Sequence, residues 1–445
     1  MEIRSHKYQW FTKYLTWPFL FWLTLWASIN SGPWALTKDP VTKLDWLHFL
    51  RTIAPFLTLF IVANISLMNK SRKNSSSPLS VKLWLLYCLI GLLSTILSPE
   101  PWYSFYWAMC FFIVIAGVQF TLSSITPLRD AIRLNYLTWT INTVFLVTMI
   151  LIARDVLIVS TTTGLTGYGL VGRMPDVMDM AMSRSSGISR FAAVPGIVAF
   201  AFLWHGPMIR KMLWAVVFIL SSSLIYFMQS RGAIFAYGFA VSFILLFQGR
   251  TFRNFGAVLL IIFGFLLFTD LSSNQHFNHI AQHIFRGQST EEFLNMSGRT
   301  RAWENAWEWI WGSPFFGWGF QADRFLIYEH VHNTYLYTLL TAGFLGTAAF
   351  AGGLALTWFQ FFRVLRKKIG DAVLRIHLIQ CAGILAFFTM RSIPEVSGAM
   401  FSVDLMVMLP AMTFISLMER QAYSEKRSGK LKRLFPWSSH TALIN

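Results

Sequence analysis

The segment His330-Val331-His332-Asn333-Thr334-Tyr335-Leu336 runs through Gly343, Gly346 and Thr347 into apolar sequence that continues to about residue 358. Its length and composition predict a membrane-crossing helix that begins near residue 332. At 100° per residue, positions 343 and 346 of such a helix fall within roughly 40° of position 332. Two glycines would then share the face of His332, and a neighbouring helix could approach closely there. The reading puts an imidazole where a helix enters the membrane.

Just upstream lies Ser297-Gly298-Arg299-Thr300-Arg301-Ala302-Trp303-Glu304-Asn305-Ala306-Trp307-Glu308-Trp309-Ile310-Trp311-Gly312-Ser313-Pro314-Phe315-Phe316-Gly317-Trp318-Gly319. Trp303, Trp307 and Trp311 recur at i, i+4 and i+8. They form an aromatic stripe suited to the headgroup layer, with Glu304 and Glu308 on the wet side. The spacing predicts a helix lying on the membrane surface.

The rest of the chain repeats the apolar theme. Of 445 residues, 55% are hydrophobic and 13% charged, far from the usual globular mix. The apolar residues fall in blocks near 15–31, 46–68, 83–97, 104–122, 135–159, 191–206, 213–229, 233–248, 255–271, 332–358, 373–391 and 400–418. Blocks of this length predict an all-α, polytopic integral membrane protein of about twelve transmembrane helices. With the N-terminus inside, the inside segments hold 24 basic and 5 acidic residues (+19), and the remaining 13 basic and 15 acidic residues give −2. That split satisfies the positive-inside rule, so both termini are expected in the cytoplasm. The formal charge of +17 is thus dispersed as topology signals, with no nucleic-acid footprint. Cys88, Cys110 and Cys381 each sit inside an apolar block without metal-ligand spacing and read as packing residues.

The chain reads as one polytopic membrane domain, 1–445, with two long outside connections, about 160–190 and about 272–331. The second, between spans 9 and 10, carries the tryptophan helix, and a loop of that size with its own amphipathic structure usually has a job. Residues 419–445 read as a basic cytoplasmic tail.

Arg184, Arg190, Arg231, Arg286, Arg299, Arg301, Arg324 and Arg391 fall near predicted outer helix ends, against the positive-inside rule. A fixed fork of donors suits phosphate oxygens, so these residues point to an anionic ligand. Arg231, in Ser230-Arg231-Gly232-Ala233, interrupts two nearly continuous apolar spans, where an unpaired charge is costly. Arg299 opens the tryptophan helix, whose free N–H groups also favour an anion. Arg301 has an alternative, pairing with Glu304 one turn on. His332 is suited to proton transfer near neutral pH, or else to capping a helix. Glu304, Glu308, Asp323 and Glu329, the nearest carboxylates in sequence, form no metal-holding pattern, and no metal or cofactor is expected.

From Ser230 to Thr347 the chain resembles the O-antigen ligase and polymerase superfamily of bacterial envelope glycosyltransferases. Ligases of that family carry His, then Asn, Ser or Gln, nine residues, Gly, two residues, Gly and often Thr; His332, Asn333, Gly343, Gly346 and Thr347 match without a gap. Ser297, Gly298, Arg299, Trp303, Pro314, Gly317 and Gly319 match a Ser-Gly-Arg-x-x-x-Trp segment ending in Pro-x-x-Gly-x-Gly, and Ser230, Arg231 and Gly232 match a Ser-Arg-Gly turn. The resemblance implies a multi-pass protein of the bacterial inner membrane with a periplasmic active face. It implies transfer of a polysaccharide from undecaprenyl pyrophosphate to lipid A-core, with membrane lipids as surroundings. On this reading His332, Arg299 and Arg231 are catalytic, and Arg301, His330, Asn333, Arg190, Arg184 and Trp303 bind substrate. The alternatives are an O-antigen polymerase and, further off, a lipid-linked oligosaccharide flippase, for which Asp404 is the clearest acid deep in a span.

Overall fold

The structure, a computed structural model, describes residues 17–29, 46–68, 77–122, 127–152, 185–228, 230–248, 250–268, 299–367, 369 and 371–428. The predicted loop 160–190 falls largely outside the described residues, Arg184 and Arg286 with it. So do the first half of the loop 272–331 and the end of the basic tail.

The described residues form fourteen α-helices and no strand. In order they are α1 (Trp17–Ser28), α2 (Trp46–Met68), α3 (Leu79–Leu93), α4 (Pro101–Thr121), α5 (Pro127–Ile152), α6 (Ser185–Phe202), α7 (Met208–Phe227), α8 (Arg231–Leu245), α9 (Arg250–Phe268), α10 (Arg299–Gly312), α11 (Ala322–Leu326), α12 (Thr334–Leu365), α13 (Ala372–Arg391) and α14 (Val403–Ser428). A helix lies at each of the twelve apolar blocks. Six are long and apolar enough to cross a membrane by length and composition, and shorter apolar helices include Ser186–Phe202 and Arg231–Leu245. The architecture is consistent with a polytopic membrane protein. The tryptophan helix also forms, as α10.

Apolar blocks become helices because a backbone away from water must satisfy its own polar groups. Side chains set several ends. The Asn333 carboxamide oxygen accepts from Tyr335 N (2.9 Å) and Leu336 N (3.0 Å) at the start of α12, and Asp371 does the same for Val373 N (2.8 Å) at the start of α13. Helices α13 and α14 form the centre, buried on nearly every face, with α5, α6, α8, α12 and α3 around them. Helix α7 lies at the margin and exposes Ile209, Leu213, Val216, Ile219 and Leu220, an apolar face suited to lipid. Cys88, Cys110 and Cys381 are buried and free.

The helix expected to run unbroken from His332 is interrupted. Ala342 (φ −140°, ψ 16°) and Gly343 (φ 60°, ψ −165°) leave helical geometry in the middle of α12. Into the break fits Pro314–Gly319, the chain leaving α10: Trp318 N donates to Leu340 O (2.6 Å), Gly319 N to Thr341 O (2.9 Å) and Phe344 N to Pro314 O (2.7 Å). Carbonyls and amides freed by the kink are satisfied by this crossing segment. The glycines are needed for it, since a Cβ on Gly317 would lie 2.6 Å from Ala342 N. The Thr347 hydroxyl donates across the break to Thr338 Oγ1 (3.1 Å). Two separate glycine motifs thus serve one backbone junction, and the partner that approaches Gly343 is a turn segment, not a helix.

Candidate active site

At one end of the bundle converge the N-termini of α8, α10, α12 and α14 and the C-terminus of α13. The basic residues Arg363, Lys367, Arg375 and Arg420 lie at the other end: Arg363 pairs with Glu419 (2.8 Å), and the Lys367 ammonium donates to Ala422 O (2.6 Å).

The organiser of the first end is the connection Ser392–Ser402 between α13 and α14. Thr334 N donates to Ser392 O (3.0 Å), Thr334 Oγ1 to Glu395 O (2.9 Å), Ser397 N to Thr334 Oγ1 (2.8 Å), and Asn333 Nδ2 to Ile393 O (3.0 Å). The start of α12 and this loop are therefore one unit. Gly232, in the first turn of α8, packs against Pro394, where an added Cβ would come within 3.1 Å of Cγ.

His332 is not on α12. It precedes the capping Asn333 in left-handed backbone (φ 47°), a conformation uncommon for a side-chain-bearing residue, and this turns its ring to Glu395, with Nδ1 3.1 Å from Oε2. The glycine-sharing face expected for it does not exist. Arg299, the first residue of α10, donates from Nη1 to Pro394 O (2.6 Å) and pairs through Nη2 with Glu395 Oε1 (3.1 Å). Arg231, the first residue of α8, lies close enough to Arg299 for the two charges to repel. Three of the sequence's chemical candidates, from three separate segments, meet at one loop.

The Glu395 carboxyl feels opposing influences. Burial would raise it, but the hydrogen bond from His332 and the charges of Arg391 and Arg299 outweigh burial and hold it well below the usual carboxylate range. Beneath it lies a buried ion triad in which Asp404 takes Arg391 Nη1 on one oxygen (2.6 Å) and Arg190 Nη1 on the other (2.8 Å). Asp404, expected deep in a span, sits in the first turn of α14 and is fully buried.

The remaining candidates separate. Arg190 is engaged with Asp404, one layer below His332. Asn333 spends its carboxamide on the α12 cap and the loop, so the structure gives it a positioning task. Trp303 is part-buried and donates from its indole to Val331 O (2.8 Å), while Trp307 and Trp311 are exposed and Ala302, Ala306 and Ile310 form the buried face of α10. Arg301 is exposed, and no ion pair joins it to Glu304 among the described residues. His330 lies with its ring centroid 4.7 Å from that of His332, and its Nδ1 is 2.8 Å from Asp323 Oδ2. Burial lowers its proton affinity, an effect Asp323 only partly offsets. Among the described residues no group of three or more His, Cys, Asp or Glu is placed to hold a metal ion.

Glu395 and the Asp404 triad were missed from the sequence. The carboxylates considered there were near neighbours of His332, whereas Glu395 is 63 positions away from it. The available signal was an acid directly after Pro394, in the short connection that follows Arg391.

Fold and site together define a helical, membrane-type protein with a histidine, two neighbouring arginines and a half-buried carboxylate at one end. Residues 216–351 match the O-antigen ligase family model. The match takes in Arg231, Arg299, His332 and both halves of the glycine junction, and ends before Glu395. No curated protein matches the chain.

Proposed function

We propose that this protein is an O-antigen ligase, an inverting glycosyltransferase of the bacterial inner membrane that acts on the periplasmic side without a metal. The donor is a polysaccharide on undecaprenyl pyrophosphate and the acceptor a sugar hydroxyl of lipid A-core. The observation that carries this reading is the convergence of His332 with Arg299 and Arg231 at the bundle end opposite the basic connections, within a chain that matches the ligase family model over residues 216–351. Two guanidiniums held close enough to repel suit a multiply charged oxygen ligand and the charge that develops as pyrophosphate leaves. His332 takes the acceptor hydroxyl proton. The new bond forms at the anomeric carbon as the bond to the pyrophosphate oxygen breaks, with its electron pair departing on pyrophosphate. Attack opposite the leaving group inverts that carbon.

The test is reconstitution of the full chain with carrier-linked polysaccharide and lipid A-core. Arg231→Ala, Arg299→Ala and His332→Ala should each lower transfer roughly 10²- to 10³-fold while the protein stays folded in the membrane, and Arg301→Ala should be milder. Core glycosylation supports ligation, whereas longer carrier-linked chains with unmodified core would identify a polymerase.

A further inference from the structure

We propose that Glu395 is the positioning residue of this site, its two carboxylate oxygens joining His332 and Arg299 into a single unit that holds the imidazole with its proton on Nδ1. The inference rests on the transfer reading above and deepens it. Oε2 lies 3.1 Å from His332 Nδ1 and Oε1 lies 3.1 Å from Arg299 Nη2, so neither contact competes with the other. An ionised carboxylate has no hydrogen to give, and the hydrogen in the first contact therefore belongs to Nδ1. Nε2 is left with a lone pair on the ring edge away from Glu395, where it can accept a hydroxyl proton.

The frame around Glu395 is rigid on every side that the structure describes. Its amide donates to Arg391 O (3.0 Å), and its carbonyl accepts from Thr334 Oγ1 (2.9 Å). Below it, Arg391 is fixed by Asp404 (2.6 Å) and Ser397 (3.3 Å). The second bond from Arg299, to Pro394 O (2.6 Å), locks α10 onto the same loop. A residue that merely filled space would not need both oxygens aimed at two groups from different segments.

During transfer Glu395 takes no proton. The hydroxyl proton moves to His332 Nε2, and the resulting imidazolium faces a carboxylate already aligned with it. The groups against His332 are Glu395 from the loop and His330 from the segment before α12; Arg299 from α10 shares Glu395, Asp323 pairs with His330, Arg391 at the end of α13 acts on Glu395, and Arg231 from α8 acts on Arg299. Among them, Glu395 is the carboxylate in direct contact with the ring.

The experiment uses the full chain in proteoliposomes, with carrier-linked polysaccharide and lipid A-core, comparing wild type, E395Q, E395D, H332A and H332A/E395Q. E395Q should lose roughly 10²- to 10³-fold in kcat, as when an orienting carboxylate is removed from a histidine, with KM for the donor changed no more than about threefold. The acid limb of its pH–rate profile should move to lower pH, because the imidazolium has lost its facing charge. In the H332A background E395Q should cost less than about threefold, since the unit is already broken. E395D keeps the charge and retracts it, so it should retain the wild-type acid limb while losing about tenfold in kcat. E395D decides the matter by these criteria if E395Q does not fold. Wild-type kcat and pH profile in E395Q, or a full additional loss in H332A/E395Q, would overturn the role of Glu395 alone. A wild-type protein that transfers glycan neither to core nor to a second carrier-linked chain would overturn the transfer reading instead.

Discussion

Gly343→Ala tests the junction on which the site is mounted. Gly343 has φ 60° and ψ −165°, a region that only glycine enters readily, and a Cβ there would overlap the Phe315 carbonyl and lie 2.5 Å from Phe316 N. Forcing alanine into such a backbone costs about 1–3 kcal/mol. If the clash expels Pro314–Gly319, four backbone hydrogen bonds are lost: Trp318 N to Leu340 O, Gly319 N to Thr341 O, Phe344 N to Pro314 O and Leu345 N to Phe315 O. At roughly 1 kcal/mol net each, the total reaches about 5–7 kcal/mol, comparable with the whole stability of many domains. Gly352→Ala is the control on the same helix. Its Cβ would meet only Leu83 Cδ1, at 3.9 Å, and helical alanine should stabilise by roughly 0.5–1 kcal/mol. The assay is apparent melting and monodispersity in detergent for both variants. Wild-type melting in Gly343→Ala, or equal losses in both variants, would refute the docked-segment account.

Asp404→Asn deprives Arg190 and Arg391 of their shared carboxylate, and should cost on the order of 3–5 kcal/mol, read as low yield and early melting, because breaking a buried pair strands charge in a dry site. Stability should also fall on acidification from about pH 7 to about pH 5: burial depresses the proton affinity of His330, so the unfolded chain binds more protons below about pH 6.5, and folding weakens as pH falls through that window. His330→Gln should flatten this dependence in melting curves taken across that range, and an unchanged slope would exclude His330 as its source. Transfer should survive exhaustive EDTA treatment, because arginine rather than a divalent ion is assigned to the leaving group. Activity lost with chelator and restored by Mg²⁺ or Mn²⁺ would reverse that assignment.

The sequence by itself determined what depends on neighbours along the chain. Apolar blocks of membrane length became helices, the Arg299–Gly312 segment became a helix with Arg299 as its first residue, and Asn333 caps α12, because propensity, periodicity and capping act within a few residues. The candidates Arg231 and Arg299 were legible as arginines placed against the topology rule, and His332 as an imidazole at a helix start. Only the tertiary structure decided how they meet. The break at Ala342–Gly343 arises from a backbone segment arriving from α10, and periodicity alone would have carried the helix straight through. The bonds from Glu395 to His332 and to Arg299, and from Asp404 to Arg190, span 63, 96 and 214 positions. No local rule predicts such pairings, since they form where packing of α8, α13 and α14 brings helix ends together and buried charge must find its counter-charge there.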